Sequence, residues 1–163
     1  MKLKIIILCI VVVIVGVVSF LVLNNKTKEL EILSSNIKKF HFGYSTGYMR
    51  YSYTNYDLTV ENNKIITKIK PDGLSDEEAL EIEVERSFLE QLTNILNKYQ
   101  VSKWNGFKGY DENVLDGNSF SLRVDMASDE EIYATGYMVW PDNYREVRNE
   151  VDNLFMNLYN KNL

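Results

Sequence analysis

The nineteen residues from Ile5 to Leu23 carry no charge, with Lys2 and Lys4 before them and Lys26 and Lys28 after. As a helix rising ~1.5 Å per residue, such a run is ~28 Å long, close to the ~30 Å hydrocarbon core of a bilayer. It reads as a transmembrane anchor over residues 1–23, with the lipid bilayer as its first partner. A secretory signal sequence is the competing reading. Its apolar region typically covers about 7–15 residues and ends in small residues, whereas Phe20, Leu21, Val22 and Leu23 continue past Ser19. Length therefore favours an uncleaved, single-pass anchor. Cys9 comes after Leu8 where a lipidation signal needs a small residue, and it lies too early in the run, so it reads as a membrane-buried thiol. The basic residues at the amino terminus slightly outweigh the mixed Lys26, Lys28, Glu29, Glu31 flank, which predicts a cytoplasmic amino terminus and an extracytoplasmic domain.

Past the anchor the chain reads as a short polar stalk, residues 24–35, and one domain, residues 36–163, long enough for a single hydrophobic core. These two parts together hold 23 acidic and 16 basic residues, because Lys2 and Lys4 are the only charges before residue 24. No cluster of Lys and Arg offers a phosphate backbone its counterions, which argues against nucleic acid as a partner. There is no cysteine after Cys9, so the domain is built without disulfides. The abundance of Asn, Lys, Ile and Tyr suits a bacterium with an AT-rich genome.

Within the domain the hydrophobic period is first two and then changes. Phe40, Phe42 and Tyr44 alternate with Lys39, His41 and Gly43, and Ser45-Thr46-Gly47 reads as a turn into a second strand from about Tyr48 to Val60. Glu61-Asn62-Asn63 makes the next turn, Lys64 to Lys70 a third strand closed by Pro71-Asp72-Gly73, and Ala79 to Val84 a fourth. Phe88, Leu89, Leu92, Ile95, Leu96 and Tyr99 then fall at helical spacing, with Ser87 and Glu90 three residues later as the capping box that starts the helix. Ser119–Met126 and Glu131–Tyr137 form a second hairpin. A terminal amphipathic helix carries Tyr144, Val147, Val151, Leu154, Phe155 and Leu158 on one stripe, with Asn143 and Glu146 placed to cap it. The order predicts an α+β domain: an antiparallel sheet of about six strands with both helices packed on one face.

Trp104-Asn105-Gly106-Phe107, Leu115-Asp116-Gly117, Gly136 and Pro141-Asp142-Asn143 resemble the pattern of a group of small, uncharacterised exported or membrane-anchored proteins of Gram-positive bacteria. The resemblance covers roughly residues 80–160. It implies export and the α+β fold, and it brings no catalytic residues to transfer.

Chemistry-bearing patterns are sparse. Nucleophilic catalysis needs a nucleophile, a base and usually a group that orients the base. The domain has one histidine, His41, on a strand and alternating away from Phe40 and Phe42, so it reads as a solvent-side residue. Ser35 and Lys38 have Ser-x-x-Lys spacing without the companion motifs of a nucleophile site. With neither a His/Cys cluster nor a complete calcium loop at Asp111, Asn113 and Asp116, no metal or cofactor is expected. Acids are plentiful, and a small envelope hydrolase using paired carboxylates is the alternative function; Asp111, Asp116 and Asp142 are its material. The leading expectation is a binding or protein-interaction module for an envelope protein or peptide. Its candidate surface is Tyr51 and Tyr53 with His41, drawn from the tyrosines crowded between Tyr44 and Tyr56, because tyrosine offers a large amphipathic contact area.

Overall fold

The computed structural model describes residues 31–46 and 53–163. Among these, no helix is long and apolar enough to cross a membrane; the run Ile5–Leu23 lies outside them, as do Tyr48 and Tyr51. The elements are β1 (Ile37–Ser45), β2 (Tyr53–Glu61), β3 (Lys64–Lys70), β4 (Leu80–Val84), α1 (Arg86–Lys98), β5 (Lys108–Tyr110), β6 (Ser119–Met126), β7 (Glu131–Tyr137) and α2 (Tyr144–Lys161). They form one α+β unit.

Seven strands make one sheet in the order β4-β3-β2-β1-β6-β7-β5. The expected antiparallel sheet of about six strands is corrected to a mixed sheet of seven, because β5 runs parallel to β7 at the edge. A three-residue strand is too short to show a period, which is why the sequence concealed it. Other boundaries shift for local reasons. Ser45 belongs to β1, opposite Tyr53, so it is a strand residue rather than the first of the expected turn Ser45-Thr46-Gly47, whose Gly47 lies outside the described residues. The β2–β3 turn is the two-residue kind, with Asn62 and Asn63 at φ 51° and 64°, the left-handed conformation that asparagine tolerates. Helix α1 starts at Arg86, so Ser87 is inside it and caps nothing; its carbonyl accepts the Gln91 side-chain amide. Asn143 does sit at the N-cap of α2, but at φ 61° and without a side-chain cap hydrogen bond.

Register places most large apolar strand residues on one face, Ile66 of β3 being on the other. Ile69, Tyr56, Phe42, Leu122 and Ala134 lie opposite one another across five strands, and Thr67, Leu58, Phe40, Val124 and Ile132 form the next row. Phe155 of α2 stacks on Tyr56 at 4.8 Å and on Phe40 at 6.0 Å, and Phe88 of α1 meets Phe155 edge-on at 5.1 Å. Leu89, Leu92 and Leu96 of α1 and Val147, Val151 and Phe155 of α2 are fully buried. The packed unit begins earlier than residue 36: Ile32 is buried, and its backbone exchanges two hydrogen bonds with the Asn97 carboxamide, at 3.0 and 2.7 Å.

Candidate functional site

The other face of the sheet takes the alternate residues. Reading across the strands, Lys68, Asp57, His41, Arg123 and Tyr133 are cross-strand partners in one row; Tyr53, Ser45, Ser119, Tyr137 and Tyr110 form another. Tyr53, Tyr110 and Tyr133 are exposed, and Tyr137 stacks on Tyr110 at 5.3 Å. Polar groups joined across strands thus lie among rings that keep a face in water.

At the centre stands His41. Its Nδ1 is 2.8 Å from Asp57 Oδ1 and its Nε2 is 3.0 Å from Ser121 Oγ. A carboxylate only accepts, so Nδ1 carries the proton toward Asp57, and in the neutral ring Nε2 accepts from the Ser121 hydroxyl. Asp57 lies directly opposite His41, whereas Ser121 lies opposite Gly43, so the imidazole crosses diagonally over Gly43 to reach it. The missing side chain is what lets it do so: a Cβ on residue 43 would sit 3.1 Å from His41 Nε2 and 2.6 Å from Asn55 Oδ1.

Serine, imidazole and carboxylate in this order match the nucleophile, base and orienter of acyl transfer. The surroundings differ from what that chemistry requires. Acyl transfer relies on preorganised donors around the developing oxyanion. Ser121 sits on β6, paired with β1 on one side and β7 on the other, so the neighbouring backbone N–H groups are committed to the ladders. The site also lies open, the side chains of His41 and Asp57 being 35% and 44% exposed. What this arrangement does readily is hold polar groups at fixed positions and exchange hydrogen bonds with a docked surface.

Beside it lies a cavity of about 300 Å³ bordered by Lys39, His41, Asp57, Arg123 and Asp125. Both of its carboxylates are already matched by bases: Asp57 by His41, and Asp125 by Arg123 Nε at 2.6 Å, with a further Arg123 contact to Glu131 at 3.2 Å. The cavity is therefore charge-balanced, with no pair of carboxylates left facing each other. The acids singled out for hydrolysis have other neighbours. Asp111 Oδ1 accepts from the Asn113 backbone at 3.0 Å and side chain at 3.1 Å, which shapes a turn, and the Asp142 carbonyl accepts from the Trp104 indole at 3.0 Å. No group of three or more potential metal ligands occurs among the described residues.

Of the surface expected from sequence, His41 and Tyr53 share the open face but not a cluster. Tyr53 lies opposite Ser45, four residues along β1 from His41, or about 13 Å at strand rise. Tyr51 lies outside the described residues. Asp57 and Ser121 bond to His41, Arg123 lies opposite it on β6 and Tyr133 one strand further on β7, and sequence reasoning missed all four. Their signal was parity within each strand; only the register shows that they meet.

A second polar cluster lies on the covered face. The Tyr44 hydroxyl donates to both Asp152 oxygens at 3.0 Å, and the Arg148 guanidinium rests 4.0 Å over the Tyr44 ring. Burial pushes the Asp152 carboxyl above its usual range, outweighing the Tyr44 and Tyr56 hydroxyls and Arg148, which pull it down. Burial likewise raises the hydroxyl of Tyr56, with the Asp152 charge adding to it. These groups tie α2 to the sheet. Compared with known proteins, the chain matches no family model and no curated protein, so the geometry carries the functional argument.

Proposed function

We propose that this chain is a membrane-anchored extracytoplasmic module that binds a protein or peptide partner through the open face of its sheet. Ile5–Leu23 spans the bilayer once, with the amino terminus inside. The observation that carries the reading is the one-sided sheet. Both helices lie with the apolar face, while the other face presents the His41–Asp57–Ser121 network, Arg123 and three exposed tyrosines. Tyrosine and arginine are the residues that interfaces favour, since they combine broad contact area with hydrogen-bonding tips. Mixed charge on this face favours a protein over a polyanion: Lys68, Lys39 and Arg123 alternate with Asp57, Asp125 and Glu131. Binding is preferred to hydrolysis by paired carboxylates because Asp57, Asp125 and Glu131 are each matched with a base.

The test is crosslinking in intact cells, then affinity capture of the full chain and mass spectrometry, with the H41A/Y133A double variant alongside. One dominant partner, lost in the variant, is the expected result. A partner retained in full by the variant would move the interface elsewhere, and protease protection of the domain in intact spheroplasts would reverse the orientation.

A further inference from the structure

At the end of the sheet, where β7 leads through Trp140 into α2, lies a cavity of about 420 Å³, within the size range of small-ligand pockets. Its wall is aromatic: Trp140 and Tyr144 stack with centroids 4.5 Å apart and planes 18° from parallel. Arg145 and Arg148 also border it, one helical turn apart and so neighbours on the surface of α2. Asn118 and Asn149 add carboxamides.

The two arginines are what make this cavity informative in an acidic domain. Arg145 is exposed and forms no ion pair among the described residues. Arg148 is held but not satisfied. Its guanidinium lies on the Tyr44 ring and is ion-paired with Asp152, whose oxygen is 3.6 Å from the buried Nε, too far for a hydrogen bond. The side chain stays 34% exposed, so the donors it can offer an incoming oxyanion are those of its terminal nitrogens, held in place by the aromatic face and the Asp152 ion pair. Glu146 borders the same cavity and Asp152 already pairs with Arg148, which sets a limit: the arginines can hold one anionic group, and a polyanion is repelled.

From this convergence we infer that the cavity binds a small ligand bearing one oxyanion, carboxylate or phosphate, next to a ring or other flat apolar part that packs on Trp140. The arginines hold the anion, the carboxamides take its remaining acceptors, and the indole covers the ring. This site meets the open face only at Ser45, away from His41 and its partners, and its failure would leave the partner-binding reading standing.

The chain has two tryptophans, so ¹⁵N-indole labelling of the full chain in detergent micelles yields two signals. Trp104, buried and bonded to the Asp142 carbonyl, serves as the internal record of an intact fold. The probes are benzoate, phenyl phosphate and neutral benzamide. Benzoate or phenyl phosphate is expected to shift the Trp140 signal saturably, with affinity about tenfold or more weaker in R145Q and in R148Q, as befits loss of a charge-assisted hydrogen bond. The tighter of the two anions names the natural class. Benzamide matching the anions, R145Q with an unmoved Trp104 signal binding as wild type does, or no Trp140 shift with any probe would each overturn the inference.

Discussion

The two faces of one sheet are built from the same strands, one residue out of phase, and they use their side chains in opposite ways. On the covered face Phe40, Phe42, Tyr56, Leu58, Leu122 and Val124 are buried to the last few per cent, and Phe155 stacks into them. On the open face His41 bonds to Asp57 and Ser121, and Arg123 pairs with Asp125 and Glu131, while all keep part of their surface in water. Burial rewards the first arrangement with stability; exposed polar pairs contribute little of it. The open face is therefore poorly explained by folding alone, and that imbalance is the physical basis for assigning it to recognition.

If the two faces divide their roles in this way, the largest losses of stability come from the covered one. Phe155→Ala removes the ring on which Phe40, Tyr56 and Phe88 converge, and it is expected to cost about 3–5 kcal/mol in denaturant unfolding. His41→Ala is expected to change stability by less than about 1 kcal/mol in the same measurement, since it removes partly exposed hydrogen bonds. Equal losses would erase the distinction between the faces.

Two glycines sharpen it at the level of one methyl group. A Cβ on Gly136 would lie 2.3 Å from the Val139 carbonyl oxygen and 2.4 Å from the Phe120 ring, where backbone and packed core cannot give way. Gly136→Ala is expected to cost about 1–3 kcal/mol through overpacking. On the open face, Gly43→Ala meets the ends of the Asn55 and His41 side chains. Those ends can swing aside, so a loss under about 1 kcal/mol is expected. The histidine would register the change through its altered imidazole NMR signals as the Ser121 hydrogen bond breaks.

Buried and exposed carboxyls also differ in how pH reaches them. Burial raises the Asp152 carboxyl, so the folded chain holds that proton more tightly than the unfolded chain. The stabilising contribution is complete below the ordinary Asp range near ~4 and is lost as pH rises through the raised value. Wild type should therefore gain stability relative to D152N as acid is added, and the urea midpoints of the two proteins at pH 7 and pH 4 check the sign. Asp76, exposed in the turn between β3 and β4, behaves oppositely. The Lys70 hydrogen bond and charge lower its carboxyl, so its contribution is present above the ordinary range and fades as pH falls, though full exposure keeps it small. The smallest effect expected is none: a fluorophosphonate reagent should leave Ser121 unlabelled, since the ladders around it withhold oxyanion donors. Labelling that disappears in S121A and H41N would turn the open face into an acyl-transfer site.

Period-two alternation in β1, β3, β6 and β7 and the helical stripes of α1 and α2 were legible in the sequence, because burying one face imposes a repeat on each element. What sequence could not supply was register. Phe42 facing Tyr56 and Leu122 emerges from alternation only once the pairing is known, and the meeting of His41 with Ser121 links residues eighty positions apart. Tyrosine counting misled in an instructive way. Tyr44 and Tyr56 were grouped with Tyr53 by proximity in sequence, yet parity places those two in the core and Tyr53 outside. The cap of α1 was misread because Ser87 and Glu90 have the right spacing at a site the helix had already passed.

The most direct test of the open face places a photoreactive residue at Tyr133 and, separately, at Gln91 on the exposed side of α1, and crosslinks full-length protein in intact cells. A discrete adduct of one partner from position 133, absent from position 91 and diminished by His41→Ala, is the predicted result. Equal adducts from both positions, or an adduct from position 91 alone, would contradict the assignment of recognition to the uncovered face of the sheet.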